Sequence, residues 1–146
     1  MSIQSGENYI LLHPDTGTVL FDSNDVLNGD HMIEAHPHLG EQRNFFLLEK
    51  DAHGHFTLKN TATNRYVFVS NDKKAGDNVV ESHNGIESRN GFVFEPVGPE
   101  QFKIFHPQTG LYLFVSNDIE KGDRVVEAHS AAGESRNIFK LLQAVK

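Results

Sequence analysis

The sequence predicts an all-β chain closed into a threefold arrangement of short strands, and two observations carry that prediction. Apolar residues come in short runs of Val, Ile, Leu, Phe and Tyr broken by Gly, Asn, Asp and Pro, and none keeps helical spacing. One polar sentence also recurs three times. It reads Ser-Asn-Asp (23–25, 70–72, 116–118), Gly-Asp (29–30, 76–77, 122–123), Glu-x-His (34–36, 81–83, 127–129) and Arg-Asn (43–44, 89–90, 136–137). Each element steps by 46 or 47 residues from copy to copy, and a fixed period of that size dictates architecture. The copies divide the chain into 7–53, 54–99 and 100–146, within one domain spanning 1–146.

Each copy reads as four strands. The first is Tyr9 to Leu12, Phe56 to Asn60 and Phe102 to Phe105. It enters a turn at Pro14-Asp15-Thr16-Gly17, Thr61-Ala62-Thr63-Asn64 or Pro107-Gln108-Thr109-Gly110, where Pro presets φ and Gly takes φ > 0. His13 and His106 belong to these turns, with Asn60 in their place in the middle copy. The second strand holds Leu20-Phe21, Tyr66 to Ser70 and Leu113-Phe114, and a long hairpin loop through Asn, Asp and Gly is expected after it. The third strand ends on Glu-x-His, and a fourth opens on Phe92 in the middle copy.

Twelve strands in three equal copies leave few architectures. A propeller uses about four or more blades, and a stacked solenoid needs polar end caps. A β-trefoil or a β-prism remains, and the equal copy lengths with aromatic or Leu residues at copy ends favour the trefoil. The second strands Tyr66-Val67-Phe68-Val69 and Tyr112-Leu113-Phe114-Val115, with Phe92 and Phe139 late in their copies, resemble the β-trefoil superfamily over nearly the whole chain. That superfamily includes ricin-B-like and small fungal lectins, actin binders, growth factors and protease inhibitors, so the resemblance implies fold more than activity. Ricin-B-type lectins usually carry Gln-x-Trp in each copy. This chain has no Trp, and sites of that family do not transfer to it.

Composition narrows function. Twenty acidic against 13 basic residues give a net charge of −7, which argues against nucleic acid or an anionic membrane as partner. The absence of Cys removes disulfides, thiolate metal sites and a Cys nucleophile. No apolar run approaches the roughly 18 residues of a membrane span. The start shows no basic and apolar leader, so a cytoplasmic or non-classically secreted protein is expected.

Alternation sorts the repeated residues by face. Ile33, Val80 and Val126 share one face of the third strand with Ala35, Ser82 and Ala128, and read as core beside Leu20, Val67 and Leu113. Glu34, Glu81 and Glu127 lie on the other face with His36, His83 and His129, next to Phe21, Phe68 and Phe114 of the second strand. Adding the loop residues Asn24, Asp25, Asn71, Asp72, Asn117 and Asp118 gives each copy an aromatic ring, a carboxylate, an amide and an imidazole. That mixture suits a sugar, with the ring against its C–H face and polar groups on its hydroxyls. Asp30, Asp77, Asp123, Arg43, Arg89 and Arg136 read instead as braces, the Arg pairing with the repeated Glu or an Asp.

No copy acquires a unique acid–base or nucleophile set, and no phosphate loop is present, so an enzyme is not expected. His36/His38 and His53/His55 have i, i+2 spacing but no third ligand, so neither metal nor cofactor is expected. The expectation is a non-enzymatic binder of glycans or glycoproteins with up to three weak sites acting together. The first copy should be the weakest, since Asp22, Gln42 and Val19 break its pattern. The alternative is a protein-binding β-trefoil: a protease inhibitor, an accessory subunit or a cytoskeletal binder.

Overall fold

The structure, a computed structural model, describes residues 3–143. Strands β1 (Glu7–His13), β4 (Phe45–Lys50), β5 (Phe56–Asn60), β8 (Val93–Gly98), β9 (Gln101–His106) and β12 (Ile138–Gln143) form a closed circuit of antiparallel pairs. The circuit closes between β5 and β8 through one bridge, Phe56 to Phe92. Three hairpins stand off this ring: β2 (Thr18–Leu27) with β3 (Asp30–His36), β6 (Tyr66–Lys74) with β7 (Asp77–His83), and β10 (Leu111–Glu120) with β11 (Asp123–His129). Their second strands pair with one another, β3 with β7, β7 with β11 and β11 with β3.

Alternation places the core as predicted. Tyr9, Phe46, Phe92 and Phe139 are fully buried in one cluster with Leu20, Val67, Leu113, Ile33, Val80 and Val126. A second cluster of Met32, Val79 and Val125 lies where the three hairpins meet. The third strand is therefore buried on both faces. Strand alternation shows which residues share a face, but not whether a neighbouring hairpin covers it.

The hairpin ends differ from the expected long loop. The second strands run on through Ser-Asn-Asp, and the register slips there as a β-bulge, between Asp22 and Val26, Val69 and Lys73, and Val115 and Ile119. The bulge is held by the Ser hydroxyl, which accepts the N–H of the Asp two residues on, at 3.1 Å in every copy. The connection itself is two residues, Asn28-Gly29, Ala75-Gly76 or Lys121-Gly122, all at positive φ. That is the backbone of the type I′ hairpin turn. The fourth strand of the middle copy begins at Val93, with Phe92 in the isolated bridge.

Candidate functional site

The polar residues of each hairpin form one network, built outward from the buried Glu. Ser23 Oγ donates to the Met32 carbonyl at 2.7 Å and to Glu34 Oε2 at 3.0 Å. Ser70 does the same with Val79 and Glu81, and Ser116 with Val125 and Glu127. Glu34 and Glu81 are 0% exposed and Glu127 1%, and the second oxygen of each has no donor among the described residues. Burial, then a hydrogen bond with the bulge Asp, raises Glu34 and Glu81 to about 9 and Glu127 to about 8. Each Glu is thus a neutral acid at pH 7, donating to Asp25, Asp72 or Asp118.

Two carboxyl groups sharing one proton are a compact way to bury acid side chains. Asp25 is held below its ordinary value: desolvation works the other way but is outweighed by the hydrogen bonds with Glu34 and Lys121. The Gly-Asp aspartates also act across copies. Asp123 bears on Glu34, Asp30 on Glu81 and Asp77 on Glu127, each pushing the Glu further toward its neutral form.

The aromatic residue of each set is not an open platform. Phe21 is 3% exposed, Phe68 and Phe114 1% each. His36, His83 and His129 stack on them at centroid distances of 3.9, 4.0 and 3.8 Å. Arg43, Arg89 and Arg136 lie over the same rings at 5.1, 4.5 and 4.6 Å. These Phe and Glu side chains are therefore interior groups, which corrects the sequence expectation that they face solvent.

Each Arg pairs with a carboxylate other than the one expected. Arg43 meets Glu41 at 3.7 Å, Arg89 meets Glu87 at 3.3 Å and Arg136 meets Glu134 at 3.0 Å, while among the described residues the repeated Glu receives no Arg. These partners stand two residues before the Arg, just ahead of a short 3-10 turn (Gln42–Asn44, Ser88–Asn90, Ser135–Asn137) that holds it. The sequence also undervalued Asn44, Asn90 and Asn137, all fully buried. Their amide NH₂ donates to the Leu20, Val67 or Leu113 carbonyl and to His Nε2, at 3.2 Å for His36 and 3.1 Å for His83 and His129. Nε2 is thereby the acceptor in each pair. Burial holds His36 and His129 below the ordinary histidine value.

His13 and His106 join neighbouring copies. Each places Nδ1 2.7 Å from a turn Thr, and Nε2 donates to the Arg136 or Arg89 carbonyl at 2.9 and 2.8 Å. Asn60 makes the corresponding bond to the Arg43 carbonyl at 2.8 Å.

What reaches solvent is the bulge itself. Asn24, Asn71 and Asn117 are exposed, and Asp25, Asp72 and Asp118 are half-buried. The turn residue of the neighbouring hairpin covers two of these Asp. Lys121 Nζ lies 2.9 Å from Asp25, and the Asn28 amide donates to Asp72. Ala75 stands at the third corner, and among the described residues no side chain covers Asp118 from there. Asn117 is held by Arg124 at 2.9 Å.

No protein-family model matches the sequence, and neither does any curated protein. Solved structures do match over almost the whole chain. A β-trefoil named BEL superposes with a TM-score of 0.76 at 12% identity, covering 99% of this chain and 97% of its own. The SDF2-like protein of Arabidopsis thaliana gives 0.86 at 13% identity, with 97% and 95% covered. The ricin B-like lectin of Macrolepiota procera, solved with lactose, gives 0.75 at 16% identity, with 97% and 98% covered. Likeness at such low identity speaks for architecture alone, and it agrees with the closed strand circuit and the three mutually paired hairpins: the chain has the β-trefoil fold.

Proposed function

We propose that this protein is a non-enzymatic, lectin-like binder of glycans or glycoproteins, a pseudo-threefold β-trefoil of three four-stranded copies. The observation that carries the reading is the solvent-facing bulge edge, where an amide and a carboxylate stand side by side in each copy. The lactose-bound fold neighbour adds support. The copies are not equivalent in the accessibility of that edge. Asp25 already has Lys121 and Asp72 already has Asn28, whereas among the described residues no neighbouring turn side chain covers Asp118, which leaves the oxygen not bonded to Glu127 for a ligand hydroxyl. Binding therefore resides mainly in the third copy, with Asn24, Asn71 and the half-buried His83 and His129 in lesser roles. One such edge is a weak site, and avidity on a multivalent surface supplies useful affinity.

A glycan array tests this. Asp118→Ala weakens binding while Asp25→Ala and Asp72→Ala change it little, and Ala75→Lys, which covers Asp118 as Lys121 covers Asp25, also weakens it. A blank array, or binding indifferent to both changes at 75 and 118, sinks the reading. A protein partner is the second reading, favoured by the exposed side chains of Leu39 and Ile86 at 61% and 64%. On that reading Leu39→Ser and Ile86→Ser weaken binding and the bulge variants do not.

A further inference from the structure

The residue after the Arg-Asn pair is Phe45 in the first copy, Ile138 in the third and Gly91 in the second. Gly91 is not there for its backbone freedom, because its φ lies outside the left-handed region. It makes room. A Cβ on it would lie 3.3 Å from His55 Cβ, 3.4 Å from His55 Nδ1 and 3.5 Å from Asp51 Oδ2. The barrel seam is thin at this point as well. β1 and β4 pair over four residues and β9 and β12 over three, whereas β5 meets the middle copy only at the Phe56–Phe92 bridge.

The room at Gly91 is taken by His55 and Asp51, and beside them opens a cavity of about 280 Å³, lined by Asp51, His53, His55, Glu87, Pro107 and Gln108 with Gly91. Its walls are preorganised. Asp51 Oδ1 accepts the N–H groups of His53 and His55 at 2.9 Å each, and the Asp51 N–H donates to the His55 carbonyl at 2.7 Å. That leaves Oδ2 on the Gly91 side. Glu87 gives one oxygen to Arg89 at 3.3 Å and keeps the other. No Lys or Arg lines the cavity, and no group of three His, Asp or Glu among the described residues is arranged for a metal ion.

We propose that this cavity is a separate binding site for one saccharide unit, an inference that rests on the carbohydrate reading above. Free carboxylate oxygens and the Gln108 amide offer acceptors to ring hydroxyls, and hydrogen bonds to ionised acceptors are the strong ones. The imidazoles, tilted by 42° with centroids 6.3 Å apart, and Pro107 supply partly apolar surface for the C–H face. The volume suits a single sugar ring with its neighbours outside. The first and third copies carry Phe45 and Ile138 at the place that Gly91 takes beside this cavity.

The test is an amide NMR titration of the full chain with free D-galactose, D-glucose, D-mannose and N-acetyl-D-glucosamine. Gly91→Ile supplies the residue that the third copy holds at this place, and His55→Ala changes a loop residue outside the core. At least one sugar should shift the amides of His53, His55, Gly91 and Gln108. Gly91→Ile should abolish those shifts, His55→Ala should weaken binding roughly tenfold, and Asp118→Ala should leave them intact. Shifts confined to the bulges, or unchanged by Gly91→Ile, overturn the cavity site while the carbohydrate reading stands. So does a positive glycan array with no shift at these amides. A blank array together with no shift from any sugar removes both.

Discussion

Ala75 is the residue at which the three hairpins are least alike. Its φ of +51° is one that L side chains with a Cβ adopt at a penalty of about 1–2 kcal/mol. The equivalent Asn28 suits that conformation and also reaches the neighbouring Asp72. Ala75→Asn should therefore stabilise the protein by about 1 kcal/mol, a rise in Tm of roughly 3 °C. Ala75→Gly separates the two contributions, since it relieves the backbone without supplying a donor to Asp118. If Asn is no better than Gly in thermal melts, the bond across the hairpins contributes nothing.

Between elements, the first two copies are joined by a polar contact that the third does not use. Asp22 is fully buried on β2 and pairs with Arg65 at 3.1 Å. It also accepts from Thr63 at 2.6 Å and from Ser82 at 2.7 Å. The corresponding residues between the second and third copies are Val69, Leu111 and Ala128. Removing one member of a buried ion pair strands the other, so Asp22→Val should cost about 3 kcal/mol or more in urea unfolding. Adding Arg65→Leu and Ser82→Ala should recover most of that loss, because the site then carries the apolar set that packs between the other two copies. Equal stability of the single and triple variants would show that the network carries no such coupling. The sequence already marked Asp22 as a departure from Val69 and Val115. It did not reveal Arg65 and Ser82 as partners, since 60 residues separate Asp22 from Ser82 along the chain. The same limit governs the candidate site. Periodicity correctly placed Phe68 opposite Val67 and Glu81 beside His83, because strand alternation is local. That His83 and Arg89 would cover Phe68, and a neighbouring hairpin would close over Glu81, depends on contacts that no local pattern encodes. The burial of Asn90 was not legible for a related reason: a turn Asn and a fully buried cap read alike in sequence.

At the scale of the molecule, the three Glu–Asp pairs set the pH dependence of stability. Glu34, Glu81 and Glu127 keep their protons in the folded state up to about 9, 9 and 8, while in the unfolded chain they release them near 4.5. Between those limits the folded state binds more protons than the unfolded one, so stability falls as pH rises. The buried His13, His36 and His106 and the half-buried His129 act with the opposite sign. Burial lowers their folded values below 6.5, so their contribution is complete above 6.5 and is lost as pH falls below it. From pH 6.5 upward, then, the glutamates dominate, and the melting temperature should decline steadily toward pH 9, against the usual expectation that surface carboxylates favour neutral pH. Glu81→Gln keeps the shape of the side chain, gives Asp72 a permanent donor and leaves an acceptor for Ser70. It should raise the melting temperature at pH 8 and reduce the slope above pH 6.5 by about a third, the share of one proton in three. A wild-type melting temperature that stays level between pH 6.5 and 9, or a Glu81→Gln profile parallel to it, would mean that these carboxyl groups ionise in the folded protein and that the shared proton does not hold the hairpins together.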